Sequence, residues 1–273
     1  MAEPSSSPPR QKRIVGVSTK MYFSAARTKQ YVDDLLHIIK TSPASQPGLL
    51  DQLDVFIIPD HITLTSVISQ LQGTKILLGA QDAFYEDVGA YTGEVSPAVL
   101  AEVGCRIVEL GHAERRRIFA ETDDDAAHKA AAAARNGMIP LVCIGERTKG
   151  EGEGDRDRGA VATAVAECRQ QVEAVLAHPN LPNGAEIVLA YEPVWAIGAT
   201  EPAAAEHVVA VTQAIRALEC VRRRKGTTRI LYGGSAGPGL FERLKEGVDG
   251  LFLGRFAHDP AQFYKTIQEV AAA

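Results

Sequence analysis

Short aliphatic runs alternate with longer Ala-rich stretches along almost the whole chain of 273 residues. The runs are apolar at nearly every position, which is typical of parallel strands buried on both faces. Eight repeats after residue 12 favour an α/β fold with a single closed (β/α)8 barrel, whose usual size is about 250 residues. The predicted strands are Arg13–Thr19, Asp54–Ile58, Lys75–Ala80, Arg106–Leu110, Met138–Cys143, Glu186–Ala190, Arg229–Leu231 and Val248–Leu253.

The stretches between these strands have helical composition and helix-start signals. Thr122 precedes a run of Asp residues, and Ser96 and Pro97 precede Ala98, as at the first turn of a helix. A doubly wound open sheet is the alternative, but it requires a Gly-rich turn after the first strand, and Ser18–Met21 contains no glycine. The predicted helices include Ala25–Lys40, Asp123–Arg135, Asp157–Ala177, Ala203–Val221 and Ala261–Ala272.

Three segments are predicted to lie outside the packed core. Residues 1–12 are rich in Ser and Pro and lack the apolar region of a signal peptide. We expect a disordered tail there, followed by one barrel domain over residues 13–273. Thr41–Gly48 is also rich in Ser and Pro, and Lys149–Gly159 alternates charge with glycine, so both are expected to be surface loops.

Composition argues against several classes of protein. A formal net charge of −5 gives no basis for nucleic-acid binding, and the basic run Arg222–Lys225 is interpreted as a solvated helix end. No apolar stretch approaches the ~20 residues of a membrane span. The seven His residues form no HxxxH pair, so no metal site is predicted. Four cysteines without CxxC spacing are expected to be reduced thiols in a cytoplasmic protein, namely Cys105, Cys143, Cys168 and Cys220.

Polar residues and glycines follow most of the predicted strands. In a (β/α)8 barrel the loops after the strands build one site, so these residues are expected to converge. Each alone is weak evidence, because a single buried His is more often structural and a pair of glycines is usually only a turn. The residues are Lys20, Gln81, Asp82, His112, Glu192, Gly233, Gly234, Ser235, Gly254 and Arg255.

Five segments carry a family resemblance, namely Gly89–Glu94, Glu109–Arg116, Cys143–Glu146, Ala190–Gly198 and Tyr232–Ser235. In their residues and in their order along the chain, these segments resemble the triosephosphate isomerase family across nearly the whole chain after the tail. The resemblance implies a TIM barrel that interconverts dihydroxyacetone phosphate and glyceraldehyde 3-phosphate, a reaction of glycolysis and gluconeogenesis. No cofactor is then expected, since one carboxylate removes the proton and returns it.

The resemblance assigns catalytic roles to three residues. It implies that Glu192 is the base, covered by a lid loop at Pro193–Thr200. It implies that His112, at the start of a helix, is a neutral donor to the carbonyl. Lys20 is implied to supply positive charge near the anionic enediolate and phosphate.

The resemblance also implies how the rest of the substrate is held. Backbone N–H groups of Gly198, Ser235, Gly254 and Gly234 are expected to bind the phosphate, helped by a short helix near Ala236–Leu240. The expected partners are therefore a small phosphorylated sugar and a second copy of the chain. The loop Tyr85–Glu94, through Thr92, is implied to reach into that second subunit of a homodimer.

Four positions depart from the family pattern. Ser18 stands where Asn is usual, and its shorter side chain leaves room for one more carbon. Ala113 stands where Ser is usual, and Pro202 stiffens the end of the lid. Arg255 stands where a second glycine lets the main chain approach the phosphate. If its guanidinium turns toward the site, it can hold the phosphate or a far hydroxyl as a forked donor.

These departures leave the implied base, donor and lysine in place, but all of them touch substrate positioning. A related branch that acts on tetrulose phosphates resembles the chain at Gly254–Arg255. An erythrulose phosphate isomerase of the same fold is therefore the alternative to a triose phosphate isomerase. A catalytically silent phosphate-binding relative is an alternative of another class, and the presence of Glu192 argues against it.

Overall fold

The computed structural model describes residues 11–42, 48–149, 155–199 and 201–273, with the backbone alone for residues 155–157. Within these ranges, eight parallel strands pair in chain order and close into a barrel, in which β1 pairs with both β2 and β8. The predicted (β/α)8 barrel is thereby confirmed. The strands are β1 (Arg13–Ser18), β2 (Leu53–Ile58), β3 (Ile76–Ala80), β4 (Ile107–Leu110), β5 (Ile139–Ile144), β6 (Ile187–Tyr191), β7 (Thr228–Tyr232) and β8 (Gly250–Leu253).

Helices connect the strands and cover the outside of the barrel. Short 3-10 turns at His61–Thr63, Val194–Ala196 and Arg255–His258 lie after β2, β6 and β8. The α-helices are α1 (Ala25–Thr41), α2 (Leu49–Gln52), α3 (Leu64–Leu71), α4 (Pro97–Val103), α5 (Ala113–Ile118), α6 (Asp123–Arg135), α7 (Asp155–Leu176), α8 (Ala205–Arg216), α9 (Glu219–Arg222), α10 (Phe241–Leu244) and α11 (Pro260–Ala272).

Both predicted helix starts are confirmed by their capping bonds. The Ser96 hydroxyl accepts the backbone N–H of Val99 at the start of α4. Thr122 and Asp125 form a reciprocal capping box at the start of α6, in which each side chain accepts the other residue's backbone N–H. The capping box fixes the start of α6, the second helix after β4.

The single helix predicted at Ala203–Val221 is wrong, because the segment contains two helices with a break between them. α8 ends at Arg216, and Leu218 takes an extended backbone conformation with ψ of 139°. The Leu218 side chain is 6% exposed in this conformation and belongs to the apolar layer outside the barrel. Tertiary burial of one leucine therefore overrides the helical preference of its neighbours.

The segments predicted to lie outside the core fall largely outside the described residues. This is true of residues 1–10 of the tail, residues 43–47 of the first loop and residues 150–154 of the second. The prediction of a loop at Lys149–Gly159 is wrong at its end, since α7 begins at Asp155. Thr41 likewise belongs to α1. In the described ranges, no helix is long and apolar enough to cross a membrane. All four cysteines are free thiols.

Two apolar layers pack the molecule, one inside the barrel and one between the barrel and the helices. Side chains alternate between these layers along each strand. Ile107 and Ala190 lie in the inner layer, so Glu109 and Glu192, two positions further on, also face inward. The interior therefore changes from apolar to polar at the carboxyl ends of the strands, and this change marks the site.

Candidate active site

A cleft opens at the carboxyl ends of the strands, and we call it the mouth. All nine residues predicted to contact the substrate line it, together with Glu109, Glu114 and the lid residues Val194 and Ile197. The nine are Ser18, Lys20, His112, Glu192, Gly198, Gly234, Ser235, Gly254 and Arg255. The residues that the sequence predicted to converge thus line one cleft, and the geometry shows what each side chain can do there.

His112 caps the helix α5. Its Nδ1 accepts the backbone N–H of Glu114 at 3.1 Å, which leaves the hydrogen of a neutral ring on Nε2. Burial, assisted by the positive charge of Lys20, lowers the pKa of His112 to about 4. The ring is therefore neutral near pH 7 and points an N–H group into the mouth.

Glu192 directly follows β6 and is 5% exposed. Its backbone N–H donates to Ile144 at 2.7 Å, which extends the strand ladder by one residue. Burial, reinforced by the charge of Glu109, raises the pKa of Glu192 to about 8, although Lys20 opposes the change. Gly233 packs against this carboxylate so closely that a Cβ there would lie 2.3 Å from Oε1. The glycine after β7 therefore makes room for Glu192.

Lys20 takes a left-handed backbone conformation, with φ of 47°, which is uncommon for a residue other than glycine. The Gln81 side chain donates to its carbonyl at 2.8 Å and holds the loop. The Lys20 Nζ donates to Glu114 Oε1 at 2.9 Å and lies 3.5 Å from Nε2 of His112. Burial works to lower the pKa of Lys20, but the hydrogen bond to Glu114 and the charge of Glu192 leave it above its ordinary value.

Glu109 is the main feature of the mouth that sequence reasoning missed. It lies on β4, is 4% exposed, and accepts a 2.9 Å hydrogen bond from the Ser18 hydroxyl. Burial raises the pKa of Glu109 to about 7, although the bond from Ser18 opposes the change. A glutamate within the apolar run Ile107–Leu110 was the available signal, and its meaning depends on which face of the strand it occupies.

The opposite side of the mouth is built by the loops after β6, β7 and β8. The Ser235 hydroxyl donates to the carbonyl of Ala199 at 2.7 Å and so ties the lid loop to the loop after β7. Arg255 turns toward this loop, since its Nη2 lies 3.7 Å from the place where a Cβ on Gly198 would be. The guanidinium therefore lies at the rim of the mouth, next to the backbone groups predicted to bind phosphate.

The short helix predicted near Ala236–Leu240 is wrong. Gly239 has φ of 90°, a left-handed conformation that a right-handed helix cannot include. The segment forms a turn instead, and α10 begins only at Phe241. The helical turn that does face the mouth is the 3-10 turn at Arg255–His258, directly after Gly254.

The lid loop is held to the barrel by Glu146, which is 1% exposed. Its Oε1 accepts hydrogen bonds from Trp195 Nε1 at 3.0 Å and from the Tyr191 hydroxyl at 3.2 Å, and lies 3.2 Å from Nε2 of His207. Through Trp195, Glu146 contacts the apolar centre of the lid. Among the described residues, no cluster of His, Cys, Asp or Glu is arranged to hold a metal ion.

A buried carboxylate of raised pKa beside a neutral imidazole and a lysine, at the mouth of a (β/α)8 barrel, is the arrangement expected of a sugar-phosphate isomerase, which is an intramolecular oxidoreductase. The family model for triosephosphate isomerase matches residues 13–270. The chain belongs to this family, as its sequence motifs predicted.

Relatives in this family carry two different names. The chain is 43% identical to the L-erythrulose-1-phosphate isomerase of Pectobacterium atrosepticum, over 95% of this chain and 96% of that protein. It is 37% identical to the L-erythrulose-1-phosphate isomerase of Rhizobium meliloti, over 95% and 97%. It is 34% identical to the triosephosphate isomerase of a Thermoanaerobacter species, over 93% and 98%. The relatives therefore agree on the family but differ in the substrate that their names give.

Proposed function

We propose that the protein isomerises a four-carbon ketose phosphate, namely L-erythrulose 1-phosphate. The observation that carries this proposal is the 43% identity to an L-erythrulose-1-phosphate isomerase over nearly the full length of both chains. Identity to triosephosphate isomerases is lower, at 34% and 36%. The alternative raised by Ser18 and Arg255 in the sequence is thus better supported than a triose phosphate, which becomes the second candidate.

The two substrates differ by one hydroxymethyl group. In dihydroxyacetone phosphate the carbonyl is followed by a CH2OH group, whereas in erythrulose 1-phosphate it is followed by CHOH–CH2OH. Removing the proton from the CHOH carbon gives an enediolate. Returning a proton to the former carbonyl carbon gives an erythrulose 4-phosphate. Both substrates need the same proton transfer, so the same three side chains serve either one.

In this proposal Glu192 takes the proton from carbon and returns it to the neighbouring carbon. Nε2 of His112 donates to the oxygen that becomes negative, and the neutral ring avoids losing a full proton to the intermediate. Lys20 adds positive charge on the same side. The 3.3 Å between Glu192 Oε2 and His112 Nε2 supports this pairing, because both groups face one small volume.

The phosphate is proposed to lie on the other side of the mouth, against the backbone of Gly198, Gly234, Ser235 and Gly254. The position of Arg255 beside Gly198 supports a forked contact of its guanidinium with the phosphate. Lid residues Val194 and Ile197 line the same cleft, so closure of the loop would exclude water from the enediolate.

The test follows a carbon label. Erythrulose 1-phosphate with 13C at the carbonyl carbon is incubated with the enzyme in D2O, and the products are read by NMR. We expect the label to become a CHOH carbon that carries deuterium, while the adjacent carbon becomes the carbonyl. The Glu192→Gln variant is the matched inactive control. A label that stays in place, while dihydroxyacetone phosphate is converted, would assign the triose reaction. No conversion of either substrate would indicate a silent relative.

We also propose that two copies of the chain form a dimer through the loop Tyr85–Glu94. Three apolar side chains near or on the mouth-side loops are almost fully exposed, namely Met21, Ile62 and Val88, at 95%, 90% and 89%. Arg135 fixes the loop by donating to the Tyr85 carbonyl at 2.7 Å. Sedimentation should give a mass near twice 29.2 kDa, and Thr92→Arg should shift it toward one chain. A wild-type monomer at micromolar concentration would overturn this proposal.

A further inference from the structure

A hydrogen bond between two distant strands spans the floor of the mouth. Ser18 ends β1 and Glu109 lies on β4, and the Ser18 hydroxyl donates to Glu109 Oε2 at 2.9 Å. Both residues line the mouth, and both are buried, with exposures of 2% and 4%. The bond therefore sits below the reacting groups, inside the barrel.

Burial of a carboxylate at this position needs an explanation. The inner layer beneath it is apolar, and in the described part of the chain Ser18 is the sole hydrogen-bond donor to Glu109. The nearby Lys20 is already paired with Glu114. A buried carboxylate with one neutral donor is costly for the fold. Nothing in the barrel itself requires it, whereas a polar ligand in the mouth would.

The ring order of the strands shows which end of a substrate Glu109 faces. β4 is four strands away from β8 in a closed ring of eight, so Glu109 and the Gly254 loop lie on opposite sides of the mouth. The proposed phosphate groups follow β6, β7 and β8. A substrate bound with its phosphate there, and its reacting carbons at His112 and Glu192, directs its far end toward β4.

We propose that Glu109, held in place by Ser18, accepts a hydrogen bond from the terminal hydroxyl of the four-carbon substrate and selects that substrate over triose phosphates. The inference rests on the proposed function, since a triose phosphate has no carbon to place there. A site built to pair with a substrate hydroxyl discriminates strongly against the analogue without it, because its own polar groups then stay buried and unpaired.

The test compares two substrates in matched variants. Glu109→Val removes the acceptor, Glu109→Gln keeps an oxygen acceptor of the same shape, and Glu102→Val on the exposed face of α4 is the control. We expect Glu109→Val to lower kcat/KM for L-erythrulose 1-phosphate by about 10- to 150-fold, the effect of losing one hydrogen bond to a charged group. The kcat/KM for dihydroxyacetone phosphate should fall by less than about threefold, because this substrate has no hydroxyl to place at Glu109. Glu109→Gln should retain more of the four-carbon activity than Glu109→Val does.

Each result decides between distinct conclusions. Equal losses on both substrates would mean that Glu109 supports the fold or the base rather than the far hydroxyl, and would overturn the inference while leaving the proposed function intact. If the ratio of the two kcat/KM values is unchanged in both variants, the inference is likewise overturned and the proposed function stays intact. If wild-type enzyme converts dihydroxyacetone phosphate but not the tetrulose phosphate, the proposed function and the inference both fail. If the valine variant does not fold, Glu109→Met, which also removes the acceptor but fills more of its space, decides by the same ratio.

Discussion

Oε2 of Glu192 lies 3.3 Å from Nε2 of His112, and each side chain is about 5% exposed. The two residues come from different strands, since Glu192 follows β6 and His112 follows β4. His112 is fixed by its helix cap and Glu192 by the adjacent Gly233. This approach of a carboxylate of raised pKa to a neutral imidazole is the relationship on which the proposed chemistry depends.

The first prediction concerns Glu192. Glu192→Asp withdraws the carboxylate by about one methylene, and kcat should fall by at least ~100-fold because reacting groups tolerate little misplacement. Far-UV circular dichroism and the melting temperature should stay close to wild type, and the exposed Glu206→Asp on α8 is the matched control. Near-wild-type turnover in Glu192→Asp would remove Glu192 from the role of base.

The second prediction concerns His112. His112→Gln should lower kcat by roughly 10²- to 10³-fold, the usual effect of losing one donor to a developing oxyanion. The steady-state rate with saturating substrate measures this, with the exposed His37→Gln on α1 as control. An unchanged kcat would mean that the ring only caps α5.

The pH profile gives the third prediction. Glu192 must be unprotonated to act as a base, and its pKa in the free enzyme is about 8. Plots of kcat/KM should therefore rise with pH and level off above about pH 8, since kcat/KM reports free-enzyme ionisations. His112, with a pKa of about 4, should contribute no limb between pH 6 and 9.

The charge of Glu109 raises the pKa of Glu192. Glu109→Gln should therefore move the rising limb to lower pH. Ionisation of the substrate phosphate affects the pH profiles of both enzymes equally, so it cancels when the variant and wild type are compared on the same substrate. A limb that does not move in Glu109→Gln would contradict the coupling of the two carboxyl groups.

The fourth prediction concerns the lid. Residues 194–199 should exchange backbone hydrogens rapidly without ligand and slowly with bound 2-phosphoglycolate, a phosphorylated carboxylate, because such loops close over anions. Exchange in α6 should be the same in both states. Trp195→Phe, which removes the hydrogen bond to Glu146, should alter the exchange of the free lid. Equal protection with and without ligand would show that this loop is not a lid.

Strand order and the position of the site were predictable from the sequence because both follow from local patterns. Runs of aliphatic residues mark doubly buried strands, and residues after such strands meet at one end of the barrel. Lys20, His112 and Glu192 follow three different strands by this rule, and the mouth contains all three.

The errors have a different origin, since they depend on contacts between residues far apart in sequence. Leu218 interrupts the predicted helix because its side chain is buried in the apolar layer between the barrel and the helices. Glu109 was missed because its inward orientation and its bond to Ser18 follow from barrel closure. The turn at Gly239 is the exception, because Gly237-Pro238-Gly239 is a local signal that argues against the helix predicted there.

The most direct test of the proposed function is the ratio of kcat/KM for L-erythrulose 1-phosphate to that for dihydroxyacetone phosphate, measured on the same wild-type preparation. A site that pairs with the additional hydroxyl should favour the four-carbon substrate by at least ~100-fold. The same ratio in Arg255→Gly separates phosphate binding from far-end recognition, because loss of a phosphate contact weakens both substrates alike. A wild-type ratio of one or below would contradict the assignment and identify the protein as a triose phosphate isomerase.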